Sequence, residues 1–386
     1  MLDYLKAKVA DFNVVLSWVE QELADLQSKR SNNTRLISRL QQKINDCRGL
    51  CASLQLIARI GHPMLIARAL PIIHDINWWT IIITWYYLPA LRRESDADIA
   101  VRGIMLNAAR RCGLTWIEDM AVRLDGAQAT VSAITESPVV FGPPQHSASL
   151  LGMAGLYHEL GHNAFQRFLA ITDNLAAVTS SHFSEFRRQA GPLTPEELTE
   201  RNRTIDEALN YWKLERLNEV FSDVFATFVC GPAYYSLSVD MALTLAGDPF
   251  DVDPIDVHPP PAARVYVCQR ALSSHYLNEL FVSLLRDIWN DYLRTLSRNS
   301  QFELTCAPEL LDRLVQSSIQ SIETYLPEAK RYERPLPIEA DLMQIPSDAT
   351  LEILLNQGGQ ILLKKPERYT DWEQKAVKAL RFPHRK

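Results

Sequence analysis

Three features that would point to common functional classes are missing from the sequence. It has no block of like charges, and its formal net charge is −6, so nothing indicates nucleic acid or an anionic membrane as a partner. Its six cysteines lack the paired C-x-x-C spacing of a structural zinc knot, which favours buried thiols in a reducing compartment. Its first residues, MLDYLKAKVADF, contain no uninterrupted apolar core, so no secretory signal is visible. We therefore expect a cytoplasmic protein.

The most apolar segment, residues 76–91, reads INWWTIIITWYYLPAL and carries no charge. It is shorter than the roughly 20 residues that a membrane-spanning helix needs, so no transmembrane segment is expected. It predicts a buried helix, with a helix lying at a membrane interface as the alternative. With 47% hydrophobic residues, the chain can bury a sizeable core and is expected to be soluble and globular.

Residues 1–60 carry the spacing of a coiled-coil seam. Apolar residues alternate steps of four and three along the first half, at Leu5, Val9, Phe12, Leu16, Val19, Leu23 and Leu26. The same rhythm continues from Ile37 to Leu54 after a polar break, which predicts an antiparallel helical hairpin. This hairpin either packs on the main domain or mediates self-association or the binding of a regulatory protein.

A small sheet is predicted before the middle of the chain. Its candidate strands are residues 115–124, residues 129–134 and the run Val139, Val140 and Phe141. The dipeptide Asp125-Gly126 between the first two is a turn signal. Helical patterns dominate the rest of the chain, with a loop-rich interval predicted for residues 172–203. The predicted fold class is therefore α+β and mostly α-helical.

The segment LYHELGHNAF contains His158, Glu159 and His162 in the order H-E-x-x-H. Residues four apart lie on one face of a helix, so the two imidazoles can bind one cation. Two neutral nitrogens would hold zinc without quenching its Lewis acidity, and the carboxylate could take a proton from an activated water molecule. The pattern indicates a zinc hydrolase, although two histidines can also share a helix face by chance.

A catalytic zinc ion needs a third protein ligand, and the sequence predicts one on a second helix, residues 204–229. Thr204 followed by Glu207 suggests a capping box at the start of this helix. Within it, Glu219 and Asp223 stand four apart on one face. One carboxylate can bind the metal ion while the other accepts the free N–H of a histidine ligand. Without the H-E-x-x-H motif, the same pair would indicate solvated charges on a helix surface.

A histidine followed by three prolines is the third element. The segment HPPPAAR runs from His258 to Arg264. Prolines make the backbone rigid, so such a loop can hold an imidazole and a guanidinium in place with little entropy to lose. A cation or N–H donor there could stabilise the oxyanion of a tetrahedral intermediate. Taken alone, the segment would indicate a structural proline turn.

Taken together, H-E-x-x-H, N-E-x-x-x-D and H-P-P-x-x-x-R resemble the motifs of the gluzincin metallopeptidases. The last motif is most similar to that of the CAAX prenyl protease and heat-shock membrane protease family. The resemblance covers roughly residues 95–290. It implies a zincin-like gluzincin core with an active-site helix, one Zn²⁺ per chain, and a protein or peptide substrate.

The resemblance also assigns roles to residues of this sequence. The implied zinc ligands are His158, His162 and Glu219. The implied catalytic residues are Glu159, as general base and acid, and His258 and Arg264, which support the transition state or the geometry of the site. The implied hydrogen-bond partner of a ligand histidine is Asp223. The implied edge strand, to which an extended peptide substrate would pair, is Val139, Val140 and Phe141.

The predicted function is that of a soluble zinc metalloendopeptidase with two additions. The hairpin occupies residues 1–60, the metallopeptidase domain residues 61–300, and a mainly helical region of unassigned role residues 301–386. The alternative is a latent or catalytically silent zinc-binding scaffold that acts through the hairpin and a partner protein. Substrate specificity depends on loops that helix periodicity does not place, so no particular substrate is predicted.

Overall fold

Two compact units make up the chain in a computed structural model. The first unit comprises Met1–Arg102 and Trp116–Pro143, and the second comprises Gly103–Thr115 and Pro144–Lys386. The described residues are 2–29, 33–62, 64–65, 68–92, 95–124, 129–131, 136–141, 150–189, 191, 193–245, 247–337 and 341–381.

The predicted helical hairpin opens the first unit. The helical elements are α1 (Leu2–Lys29), α2 (Thr34–Ile60), α3 (Ala69–Ile81), a π-helix (Ile82–Tyr87), α4 (Leu88–Arg92) and α5 (Asp96–Arg111), which continues into the second unit. Helices α1 and α2 are antiparallel, because Gln27 bonds to Gln41 while Glu20 pairs with Arg48. Every predicted seam residue of α1 is buried, which confirms the spacing of four and three.

The seam packs inside the first unit rather than facing solvent. Its residues belong to one apolar core that also contains side chains of α3, the π-helix and α4. This face of the hairpin therefore packs within its own unit, and self-association or the binding of a partner stays a prediction. Any partner of residues 1–60 would have to bind a different face.

The apolar segment of residues 76–91 is helical, but only one of its faces is buried. Ile76 and Ile83 lie in the core, whereas Trp78 is 51% exposed and Trp85 is 74% exposed. Among the described residues, no helix combines the length and the apolar character needed to cross a bilayer.

A three-stranded sheet completes the first unit. Its strands are β1 (Ala121–Arg123), β2 (Ala129–Val131) and β3 (Val139–Phe141). Strand β3 lies in the middle, parallel to β1 and antiparallel to β2. The predicted turn at Asp125-Gly126 and the end of the second predicted strand, residues 132–134, lie outside the described residues.

The prediction that Val139, Val140 and Phe141 form an edge strand is wrong. Strand β3 is hydrogen-bonded on both sides, so its backbone cannot also pair with a peptide. The physical reason is visible in its side chains. Val139 and Val140 point to opposite faces of the sheet and both are buried, which is typical of a central strand.

Helices are the regular secondary structure of the described part of the second unit. Its elements are a 3₁₀-helix (Leu151–Ala154), α6 (Gly155–Arg167), α7 (Leu169–Arg188), α8 (Pro195–Tyr211), α9 (Leu214–Cys230), α10 (Pro232–Leu245), α11 (Pro261–Ala271), a second 3₁₀-helix (Ser274–Asn278), α12 (Leu280–Arg294), α13 (Ser300–Thr305), α14 (Pro308–Tyr325), α15 (Leu351–Lys364) and α16 (Pro366–Arg381). Helix α9 is central, because α6, α7, α10, α11, α14 and α15 all pack on it. The mostly α-helical class of the chain, with a small sheet, is thus confirmed.

The compact units differ from the predicted boundaries at residues 60 and 300. The first unit extends past the hairpin because α3 packs against both α1 and α2. The second unit includes the region after residue 300 because α14 and α15 pack directly on α9.

Two local predictions in the second unit are wrong. Residues predicted as loop-rich form α7, whose buried Ile171, Leu175 and Phe183 are spaced for one helix face. The predicted helix of residues 204–229 is two helices, α8 and α9. The capping box lies at Thr194 and Glu197, which bond reciprocally at the start of α8.

The hairpin seam can be tested with two truncations on the same helix. We expect Leu16→Ala to lower the free energy of unfolding by about 2–5 kcal/mol, because Leu16 is fully buried. Val14→Ala should change it by less than about 0.5 kcal/mol, because Val14 is 70% exposed. Urea unfolding followed by circular dichroism measures both, and equal effects would contradict the seam.

Candidate metal centre

The H-E-x-x-H motif lies on α6, and its side chains converge. The ligand atoms of His158, Glu159 and His162 all lie within 4.8 Å of one another, and His158 and Glu159 are buried. The two imidazole rings stand 4.5 Å apart between centroids and nearly perpendicular to each other. This group could bind a metal ion.

Gly161, inside the motif, allows α6 to lie against α9. A Cβ atom at this position would be 2.8 Å from Ser222 Cα and 3.1 Å from its Oγ. A distance of 2.8 Å to backbone is too short for any real side chain, so only glycine fits here without separating the helices. The close approach brings the imidazoles of α6 within reach of side chains on α9.

Glu219 of α9 reaches across to both imidazoles. Its Oε2 lies 3.3 Å from His158 Nε2, and its Oε1 lies 3.3 Å from His162 Nε2. In a tetrahedral zinc site with bonds of about 2.0–2.1 Å, ligand atoms are roughly 3.3–3.4 Å apart. Each of the two nitrogen–oxygen spacings, one to Oε2 and one to Oε1, therefore matches that of two neighbouring ligands of a small cation.

Two buried carboxylate oxygens at the site have no hydrogen-bond partner. They are Oε2 of Glu159 and Oε2 of Glu219. A buried charged oxygen without a partner is costly, and in folded proteins such groups are paired or bind metal ions. A cation between the imidazoles would compensate these oxygens, so the residues present fit a metal ion.

The Nδ1 atom of each histidine ring contacts side chains of other helices. His158 Nδ1 lies 2.9 Å from both Asp223 Oδ1 and the Tyr234 hydroxyl, and that hydroxyl donates to Asp223 at 2.7 Å. His162 Nδ1 lies 3.0 Å from Ser222 Oγ. These contacts orient both rings so that each Nε2 faces Glu219. Asp223 thus lies where the sequence places it, beside His158.

Arg264 of α11 holds Asp223 with two hydrogen bonds. Its Nε donates to Oδ2 and its Nη2 to Oδ1, each at 2.8 Å. The same Nη2 lies 3.5 Å from Glu219 Oε2. Because its guanidinium is engaged in this way, Arg264 supports the geometry of the site, which is one of the two roles that the resemblance implies.

His258 lies on the solvent side of the site. Its side chain is 49% exposed, and its Nε2 lies 3.8 Å from Glu219 Oε2. Its Nδ1 and its backbone N–H both lie 2.9 Å from Asp256 Oδ1, so the ring is fixed in one orientation. A role of His258 in the transition state stays a prediction.

Arg216 of α9 supports the loop that carries His258. It is buried and donates hydrogen bonds to the carbonyl oxygens of Asp253, Pro254 and Asp256. Its other terminal nitrogen donates to the carbonyl of Tyr211 at 2.6 Å. The loop is therefore attached to the same helix as Glu219.

A cavity of about 330 Å³ adjoins the site. Tyr234, His258 and Arg264 line it together with the carboxylate-bearing residues Asp248, Asp251, Asp253 and Asp256. The cavity gives a ligand access to the exposed side of the His258 ring.

Neighbouring charges oppose the effect of burial on the pKa values at the site. Burial lowers the pKa of His158, but Glu219 and Asp223 raise it to about 10. Burial raises the pKa of Glu219, but His158 and Arg264 lower it to about 2. Burial likewise raises the pKa of Asp223, but Arg264 and His158 hold it well below its usual range. The ionised carboxylates stabilise positive charge at this position, either a proton on His158 or a metal ion.

The structure brings together all the predicted residues of the three motifs. The predicted residues in one cluster of the second unit are His158, Glu159, His162, Glu219, Asp223, His258 and Arg264. Sequence reasoning missed Ser222, Tyr234 and Arg216. Ser222 follows Glu219 by three residues and so shares its helix face, which is a usable signal. Arg216 precedes Glu219 by three residues and carries the same signal, whereas Tyr234 has none because His158 is distant in the chain.

The close helix approach can be tested with two glycine substitutions. Gly161→Ala should destabilise the protein by about 1–3 kcal/mol and weaken zinc binding, because the new Cβ pushes α6 away from α9. Gly49→Ala is the matched control in α2, where a Cβ meets nothing within 4 Å and should stabilise by about 0.5–1 kcal/mol. Thermal unfolding and chelator competition measure both. Unchanged zinc affinity in Gly161→Ala would contradict the role of the approach.

The support behind His158 can be tested by removing its carboxylate partner. We expect Asp223→Ala to weaken zinc retention roughly 10- to 100-fold, because the ring loses the acceptor that orients it. Asp312→Ala is the control, since Asp312 pairs with Arg270 instead. Titration with a chelator gives the affinities. Equal retention in wild type and Asp223→Ala would show that Asp223 does not support the ligand.

Comparison with known proteins returns no matching family model, no matching curated protein and no matching solved structure. The resemblance to the gluzincins therefore rests on the three motifs and on the geometry of their residues.

Proposed function

We propose that this chain is a zinc-dependent metallopeptidase of the gluzincin type. The observation that carries the proposal is the position of Glu219, whose two oxygens lie 3.3 Å from the Nε2 atoms of His158 and His162. Two histidines four apart on one helix and a glutamate from a second helix form a three-ligand set that leaves a coordination position open. That arrangement is typical of catalytic rather than structural zinc sites.

Each residue of the proposed site has a separate role in hydrolysis. A bound zinc ion would polarise the scissile carbonyl and lower the pKa of a water molecule. His158, His162 and Glu219 would hold the ion, while Asp223 and Tyr234 orient the His158 ring.

Glu159 is the proposed general base and acid. Its Oε2 is buried and has no hydrogen-bond partner, so it is free to accept a proton. It lies within 4.8 Å of the ligand atoms of both histidines, close enough to act on a water molecule bound beside them. The same carboxyl group can then pass the proton to the leaving amine.

His258 is placed to contact the substrate. Asp256 holds its Nδ1, which leaves Nε2 near Glu219 and open to the adjoining cavity. A donor in this position can stabilise the negative charge that develops on the carbonyl oxygen when water attacks the carbonyl carbon. A peptide or protein substrate would enter through the cavity.

The proposal includes a soluble protein in the cytoplasm. All six cysteines are free and buried. Free thiols support a reducing compartment.

The decisive test is Glu159→Gln compared with wild type. Wild type should bind one zinc ion per chain and cleave casein or an unfolded protein, and the variant should retain the zinc but lose cleavage. The amide keeps the shape of the side chain but cannot accept the proton. Glu215→Gln, at an exposed glutamate in the first turn of α9, is the matched control and should cleave normally.

Metal analysis and mass spectrometry of the fragments separate the possible results. Full activity of Glu159→Gln would exclude the mechanism. Zinc without cleavage by wild type would favour the alternative, a latent enzyme or a zinc-binding scaffold. A wild-type protein that takes up no zinc would refute the metal site altogether.

A further inference from the structure

Helix α15 presents two buried polar residues to the helices of the metal centre. Glu352 and Asn356 stand four apart on one face, and Asn356 is fully buried. A buried polar side chain is costly unless its hydrogen bonds are satisfied. The partners of both residues lie directly beside residues of the site.

Glu352 accepts a hydrogen bond from Tyr157, the residue that precedes His158. Its Oε1 accepts a hydrogen bond from the hydroxyl of Tyr157 and another, at 2.7 Å, from Arg111 Nη2. The same Arg111 nitrogen lies 3.2 Å from the Tyr157 oxygen, so the three groups form a closed network. Tyr157 is fully buried in the first turn of α6. Fixing its hydroxyl therefore fixes the start of the helix that carries both imidazoles.

Asn356 forms hydrogen bonds to both sides of the turn between α9 and α10. Its side-chain N–H groups donate to the carbonyl of Cys230 at 2.6 Å, and its Oδ1 accepts from the backbone N–H of Ala233 at 3.0 Å. Between them, Gly231 has φ of +62°, a conformation that glycine adopts easily. The residue after Ala233 is Tyr234, which contacts His158 and Asp223. The side-chain amide of Asn356 thus determines the position of the Tyr234 hydroxyl at the start of α10.

We propose that Glu352 and Asn356 are positioning residues of the metal centre, which gives the region after residue 300 a function. Through Tyr157 and through the turn between α9 and α10, they set the orientation of His158 from two sides. The inference rests on the proposed metal site but not on peptide hydrolysis.

Gln357 provides a matched control on the same helix. It is also buried, with 1% of its side chain exposed, and its amide donates to the carbonyls of Leu342 and Gln344 at 2.7 Å each. These partners belong to the chain before α15 and not to α6, α9 or α10. Its loss should cost stability without reaching the metal ligands.

The experiment measures zinc affinity by chelator competition and the visible spectrum of the Co²⁺-loaded full chain. The intensity and position of Co²⁺ bands report coordination geometry, which a loss of stability alone does not change. We expect Asn356→Leu and Tyr157→Phe to weaken zinc binding at least tenfold and to alter the Co²⁺ spectrum. Glu352→Gln keeps an acceptor for the Tyr157 hydroxyl and should be milder than Glu352→Leu. Gln357→Leu should match wild type in both measurements.

Two results would overturn the inference. One is a wild-type spectrum and affinity in Asn356→Leu and Tyr157→Phe, and the other is an equal loss in Gln357→Leu. If Asn356→Leu does not fold, Tyr157→Phe, which removes a single hydroxyl group, decides the question. Absence of metal binding in wild type would refute this inference and the proposed function together. Metal binding without peptide cleavage by wild type would count against the proposed function alone.

Discussion

Helices α6 and α9 approach each other so closely at Gly161 that a Cβ atom there would lie 2.8 Å from the backbone of Ser222. The remaining geometry of the site follows from this approach. It sets the imidazoles of one helix against a carboxylate of the other, and it brings Ser222 within hydrogen-bond distance of His162. A wider separation would leave Glu219 too far from the two Nε2 atoms to share a cation with them. The spacing within H-E-x-x-H places both imidazoles on one face of α6. The glycine inside the motif allows the short distance between α6 and α9.

The site concentrates charge in a helical core that is otherwise apolar. Removing charged groups from water is expensive, and such a cluster rarely stabilises a fold more than apolar side chains would. The arrangement of partners limits the cost, because Arg264 pairs with Asp223 and Asp223 in turn accepts from Tyr234. Oε2 of Glu159 and Oε2 of Glu219 make no hydrogen bond, although Glu219 Oε2 lies 3.3 Å from His158 Nε2 and 3.5 Å from Arg264 Nη2. Buried carboxylate oxygens without a hydrogen bond are expected at functional sites.

Much of the site could be predicted because its signals are local. The spacing of the histidines, of Glu219 and Asp223, and of the α1 seam follows from helix geometry alone. The missed helix α7 also has a local signal, the spacing of Ile171, Leu175 and Phe183, whereas the errors at the end of α8 and at β3 arose where distant contacts decide. Helix α8 ends at Tyr211, and the indole of Trp212 then bonds to the carbonyl of Thr305, a partner that no local pattern reveals. Likewise, the central position of β3 depends on its pairing with two other strands, and the support from α15 depends on residues far along the chain.

The bond between Tyr157 and Glu352 joins residues 195 positions apart in the chain. A ribosome that adds about 5–20 residues per second therefore exposes α6 roughly 10–40 seconds before α15 has been synthesised. During that interval the H-E-x-x-H helix exists without the carboxylate that fixes its first turn. Completion of the site is then a late event in biosynthesis. Until α15 has been synthesised, Tyr157 and Arg111 lack the carboxylate that links them, so the cluster around His158 cannot reach its final geometry.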